Sequence, residues 1–262
     1  WGFVVAAPDH SDRDLSAVAL KALTGQLNEA NQINQSHDVT DLQNTIALLE
    51  KDNTDSSSIF YRHLDTSRIG ALGHSAGAAA VEKLAVVDTR VRVWIGMGGA
   101  SYGSFGQTTT GPGSKVPAQA GMLMYAEKDG LVPASSMKNA YNALTGPKRL
   151  IGIADSGHLV FADVCTLGQN AGGIVGIAKK VGLPLPAEMV TLGTDGCSST
   201  FAPIYTEQPL IKQAITAQLR WQMGFDANQN ALNGLNQAFG WRVLENTTAS
   251  TVSGALPWGV GQ

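Results

Sequence analysis

No apolar stretch in this chain approaches the 18 or more residues that span a bilayer, and the first residues lack the basic flank of a signal peptide. Charge is also scarce. Only 15% of the 262 residues are charged, the 18 Lys and Arg are scattered, and the formal net charge is -3. That balance excludes the basic footprint of a nucleic-acid binder and suits a small or neutral substrate. No two of the five histidines stand at metal-ligand spacing, so neither a metal nor another cofactor is expected. Cysteine is nearly absent: Cys165 and Cys197 are the only two, on either side of a Gly-rich segment. They read as a disulfide, with two free thiols as the alternative. Closing a loop of that length stabilises by roughly 3 kcal/mol in the chain-entropy view. A disulfide together with few lysines points to an oxidising compartment, secreted or periplasmic.

What is present is a globular composition, 44% hydrophobic, in which short apolar runs alternate with helical patterns. Phe3 to Ala7, Ile69 to Leu72, Val91 to Ile95, Met122 to Tyr125 and Leu150 to Ile153 read as strands, most of them apolar on both faces as in a parallel sheet. Val39, Leu42, Ile46 and Leu49 share a helical face behind Asp38 or Thr40 as N-cap, and Leu210, Ile211, Ala214, Ile215 and Leu219 share another. The fold class is therefore α/β, a doubly wound and mostly parallel sheet. Residues 1–240 form the domain, 166–200 a long ordered loop closed by the cysteines, and 241–262 a tail. Asn34-Gln35-Ser36 and Asn246-Thr247-Thr248 match a glycosylation acceptor, with chance occurrence as the plainer explanation.

The stretch Gly73-His74-Ser75-Ala76-Gly77 fits G-x-S-x-G between an apolar strand and an alanine-rich helix. In that context the serine sits on a sharp turn with its hydroxyl exposed; a small-residue packing turn is the bland alternative. A serine nucleophile needs a base, and the base needs an orienting carboxylate. Asp129 follows the strand Met122 to Tyr125, and His158 follows Leu150 to Ile153, in the chain order Ser, Asp, His. Glu127 and Asp155 compete less well, as a solvated turn residue and a loop-shaping residue, and Asp163 reads as a local cap or pair. His74 is a candidate to touch substrate. Trp94, Met97, Leu131, Val132 and Met137 lie near strand ends and are candidates for a substrate pocket, each with core packing as the alternative.

The segments "WGFVVAAPDH", "DVTDLQNTIALLE", "LDTSRIGALGHSAGAAA", "AEKDGLVP" and "SGHLVFADVC" resemble the α/β-hydrolase superfamily. They are most similar to bacterial dienelactone-hydrolase-like and platelet-activating-factor-acetylhydrolase-like serine esterases. The resemblance covers residues 1 to about 165, and 207–223 less fully. It implies Ser75 as nucleophile, His158 as base and then acid, and Asp129 as orienting carboxylate, acting on a small, lipid-like or polymeric ester. An acyltransferase, a peptidase or a non-catalytic hydrolase-fold binding protein are the rival expectations. The Ala76 N–H is the expected first oxyanion donor. The second, which the family often marks with His-Gly, is not found, since the chain has no such dipeptide. The resemblance also implies that three strands, a helix and the oxyanion loop lie upstream of Trp1. A companion N-terminal segment, or less readily the β-prone tail, would then fill the gap beside Ile69 to Leu72.

Overall fold

The computed structural model describes residues 1–10, 37–100, 116–167, 173–182, 185 and 187–249. Among them five strands form one sheet in the order β1-β2-β3-β4-β5: β1 (Ile69–His74), β2 (Val91–Met97), β3 (Ala120–Ala126), β4 (Lys148–Ile153) and β5 (Val243–Ala249). The first four run parallel and β5 is antiparallel to β4. Parallel neighbours require crossovers on a face of the sheet. Two of those crossovers are α2 (Ala76–Val87) between β1 and β2 and α3 (Ala134–Ala143) between β3 and β4, with α1 (Asp38–Thr54) ahead of β1.

Alternation along the strands sorts the apolar side chains into two cores. Val93, Ile95, Met97, Met122, Met124, Ile151 and Ile153 face the long helix α6 (Ile204–Gln222) and the short α7 (Asn230–Asn233) and α8 (Leu235–Phe239). Val91, Trp94, Leu123, Tyr125 and Leu150 face α1, α2 and α3. With helices against both faces, β2, β3 and β4 are buried almost throughout, as their apolar runs require.

Four expected strands stand where the sequence puts them, each longer by two or three residues in total. Phe3 to Ala7 does not form one. It has no ladder partner among the described residues, and Val4 and Val5 are exposed, while Phe3 packs edge-on against Phe225, 6.0 Å between ring centroids. Residues 243–249 were expected in a tail and instead make the far edge of the sheet, at the opposite side from β1, so they do not fill the place beside Ile69 to Leu72. The physical reason is polar pairing. Buried Arg149 on β4 donates to Asn246 Oδ1 at 2.5 Å and to Gln229 Oε1 at 2.6 Å, and Tyr125 Oη donates to Glu245 Oε2 at 2.8 Å.

The expected loop 166–200 contains α4 (Gly173–Lys180) and α5 (Ala187–Thr194), its glycines notwithstanding. The cap of α1 is His37, with no side-chain cap bond, rather than Asp38 or Thr40. Asn246 donates to Leu232 O at 2.8 Å as well as accepting from Arg149, so its amide is committed to packing rather than presented for glycosylation. Asn34 lies outside the described residues.

Candidate active site

Three strand ends build the site. β1, β3 and β4 run parallel, so their C-terminal ends open on one rim, the place where side chains from distant loops converge in open α/β sheets. Ser75 follows β1, Asp129 follows β3 and His158 follows β4.

Ser75 sits between β1 and α2 with φ 57° and ψ -121°, a conformation strained for a residue with a side chain. Its surroundings hold it there. The Ser75 N–H donates to Met97 O at 2.9 Å, and Ser75 O accepts the Ala78 N–H at 3.0 Å. A Cβ at Gly73 would overlap the Gly77 carbonyl, and one at Gly99 would overlap the Ser75 carbonyl, so both glycines admit a close backbone approach that alanine forbids. Gly77 is different: a Cβ there meets nothing among the described residues within 4 Å. Of the two glycines in the pentapeptide, the first makes the turn possible.

His158 Nδ1 lies 2.8 Å from Asp129 Oδ2, and His158 Nε2 lies 2.9 Å from Ser75 Oγ. Because a carboxylate only accepts, the Nδ1–H is the donor, which leaves Nε2 free to accept from the serine hydroxyl. Both the imidazole and the carboxylate are buried, with side-chain exposures of 1% and 0%. Asp129 is itself fixed, because its Oδ1 accepts from the Leu131 N–H at 2.9 Å and the Val132 N–H at 2.7 Å. Gly98, at φ +53°, brings its backbone against this pair; a Cβ there would stand 3.4 Å from both Asp129 Oδ2 and His158 Nδ1.

His74 lies beside this chain of contacts rather than in it. Its Nε2 is 2.9 Å from the His158 carbonyl oxygen and its ring is 4.7 Å from the His158 ring. A carbonyl accepts only, so His74 carries a proton on Nε2. Burial, reinforced by repulsion from His158, pushes its pKa down to about 4.

The open cleft over Ser75 has a volume of about 370 Å³, with His74 to Gly77 on one side and Pro8, Asp9 and His10 on the other. The expected pocket residues are elsewhere. Trp94, Val132 and Met137 are at most 1% exposed and Met97 5%, all inside the two cores; Trp94 packs over Gly121. Leu131 is half-buried against the core on the α3 face. Apolar side chains at buried strand ends turn inward to the core, and the cleft is walled by the backbone of the elbow and by the N-terminal segment. His10 stands 2.9 Å from Asp41 Oδ2 and 3.6 Å from Asp38 Oδ1, so the carboxylates of the first turn of α1 orient its ring.

Cys165 and Cys197 form a disulfide, with Cα atoms 5.1 Å apart. Asp155 pairs with Lys128 at 2.7 Å, and its N–H donates to Glu127 at 2.8 Å, so both rival carboxylates serve the turns behind the site. Asp163 accepts from Gln208. No group of three or more His, Cys, Asp or Glu among the described residues is placed to hold a metal ion. No described helix is long and apolar enough to cross a membrane. Sequence reasoning missed Asp195, whose carboxylate accepts the His158 N–H at 2.8 Å. Its only signal was its position two residues before Cys197.

Comparison of the chain with protein-family models and with curated proteins returns no match.

Proposed function

We propose that the chain is a serine hydrolase of the α/β-hydrolase type that cleaves carboxylic esters, with Ser75 as nucleophile, His158 as general base and then acid, and Asp129 as the orienting carboxylate. The observation that carries this reading is the continuous relay from Ser75 Oγ to His158 Nε2 at 2.9 Å and from His158 Nδ1 to Asp129 Oδ2 at 2.8 Å, begun at a serine held in a strained turn.

Ser75 Oγ attacks the ester carbonyl carbon while His158 Nε2 takes the hydroxyl proton. The tetrahedral intermediate collapses with proton return to the departing alcohol, leaving an acyl-serine. Water then enters, gives its proton to His158 and releases the acid. The Ala76 N–H, in the first turn of α2, has no acceptor among the described residues and lies at the positive end of its helix. It is the donor proposed for the oxyanion, and one such donor contributes roughly 3 to 4 kcal/mol to the transition state. The Asp129 carboxylate keeps the imidazole in the productive tautomer.

An open cleft of about 370 Å³ with a mixed polar and apolar lining accommodates a small ester or one end of a lipid-like or polymeric chain. The disulfide is in keeping with work outside a reducing cytosol. Fluorophosphonate labelling tests the reading: a single adduct mapped to Ser75, turnover of short and long p-nitrophenyl esters, and loss of both in Ser75→Ala are expected. An intact protein with no adduct at Ser75 refutes it.

A further inference from the structure

His158 is held by its peptide group as well as by its ring, and the group that holds it comes from far along the chain. Asp195 directly follows α5 and is buried, 8% exposed. Its two carboxylate oxygens are divided between the two loops that carry the relay. Oδ1 accepts the His158 N–H at 2.8 Å, and Oδ2 accepts the Gly130 N–H, next to Asp129, at 2.9 Å. Its own carbonyl accepts the Leu159 N–H at 2.9 Å.

The fit depends on glycine: a Cβ on Gly157 would overlap Asp195 Oδ1, and one on Gly130 would stand 2.9 Å from Oδ2. Gly196, at φ +100°, lies against Gly157. From the other side His74 donates to the His158 carbonyl. Two residues beyond Asp195, Cys197 bonds to Cys165 in the turn Asp163–Thr166, which follows the turn His158–Phe161 that carries the imidazole. Leu159, Cys165 and Ile204 bury that junction.

We propose that Asp195 is a positioning residue that keeps the His158 and Asp129 loops in register, and that the Cys165–Cys197 disulfide holds Asp195 in place, so that reducing this bond slows turnover. The proposal rests on the esterase reading for its effect on rate. Two N–H donors on different loops, that of His158 buried and that of Gly130 partly so, are held in fixed relation by two acceptor oxygens, which one carboxylate supplies and an amide does not. A misplacement of about 1 Å at such a site costs up to roughly 100-fold in rate. In the reductive step a dithiol attacks one sulfur and the S–S bond breaks. Both cysteines become thiols, and the reductant, giving up two electrons and two protons, closes to its own disulfide.

The test compares wild type, Asp195→Asn, the Cys165→Ser/Cys197→Ser pair and dithiothreitol-treated wild type. Leu210→Ala, at a buried position on α6 that makes no hydrogen bond to the relay, serves as a destabilised control. Each is read by kcat and KM on p-nitrophenyl butyrate and by the downfield proton resonance of His158 Nδ1–H, which reports the bond to Asp129 whether or not any ester is cleaved. Asp195→Asn is expected to lower kcat by roughly 10- to 100-fold with KM little changed, and to shift or broaden the resonance. The disulfide variant and the reduced wild type move both readouts the same way by a smaller factor, and Leu210→Ala moves neither. If Asp195→Asn does not fold, reduced wild type carries the comparison.

Unchanged kcat and resonance in Asp195→Asn overturn the positioning role, and unchanged readouts on reduction overturn the tether. A wild type that neither labels at Ser75 nor turns over ester fails the esterase reading instead. The resonance then decides alone: a shift in Asp195→Asn sustains the positioning role, and none overturns it.

Discussion

The two edges of the sheet are built on different principles. At the β5 edge an antiparallel strand closes the ladder over β4, and a buried guanidinium, two amides and a Tyr–Glu–Lys cluster tie it down: Arg149, Asn246 and Gln229 on one face, Tyr125, Glu245 and Lys138 on the other. At the β1 edge the strand has one neighbour among the described residues, and Leu72 is 44% exposed. Yet β1 carries the strained serine. The difference teaches that the serine's geometry is set at the elbow and the adjoining end of β2, by Gly73, Gly99 and the Met97 carbonyl. The geometry of His158 draws on contacts 29 to 37 residues along the chain, to Asp129 and Asp195.

The comparison breaks most visibly at the relay itself. Asp129→Asn leaves the volume of the site intact but offers a donor where the imidazole needs an acceptor, so it is expected to lower kcat by about 10⁴ with the fold retained. Steady-state kinetics beside thermal melting check it. Retained activity would mean that His158 takes its tautomer from another group. In stability, the asymmetry predicts opposite outcomes for two leucines. Leu150→Ala, at a position 1% exposed on β4, is expected to cost about 2 to 5 kcal/mol. Leu72→Ser on the open edge is expected to change stability by less than about 0.5 kcal/mol, unless a segment covers it. Urea unfolding of both variants measures the contrast, and a large loss at Leu72 would show that edge to be covered.

A smaller effect sharpens the closed edge. Arg149→Met keeps the apolar length of the side chain but strands the Asn246 and Gln229 oxygens that now accept from it. Leaving such groups unpaired costs about 1 to 3 kcal/mol each where they are buried. A lower urea midpoint with unchanged labelling at Ser75 is expected, because the lost contacts lie away from the relay.

Much of this was legible in the sequence. The four parallel strands were: a strand buried on both faces is largely apolar, and Ala120 to Ala126 is so throughout, Val91 to Met97 in all but Arg92, while the edge strand β1 showed itself through the apolar run before the pentapeptide. Ser75, Asp129 and His158 were legible from the G-x-S-x-G pentapeptide and from acids and bases placed just after apolar runs. β5 was not, because "VLENTTA" earns its place through pairing with Arg149 rather than through its own hydrophobicity. The pocket residues were misplaced because Trp94, Val132 and Met137 look the same in sequence whether they face a cleft or a core. Asp195 was invisible for a related reason: an aspartate in a Gly-rich segment becomes significant only when folding delivers two glycine-lined loops to its two oxygens.

His74 offers the finest test of how the two halves communicate, since it lies at the end of β1 and holds the carbonyl of His158. Its pKa is pushed from the ordinary 6.5 down to about 4, first by burial and then by repulsion from His158. The folded state therefore resists a proton that the unfolded chain accepts. The stabilisation is present in full above pH 6.5 and is lost progressively as pH falls from 6.5 toward 4, at about 1.4 kcal/mol for each unit between the two values. The carboxylates with lowered pKa, such as Asp88 and Glu245, also lose stability in acid, but below their unfolded values of 3.8 and 4.5. Their contribution is common to wild type and variant. His74→Gln can still donate to the His158 carbonyl and does not titrate. Between pH 7.5 and 4.5 its urea midpoint is expected to fall less than that of wild type, and parallel curves over that range would mean that the imidazole takes up its proton in the folded protein.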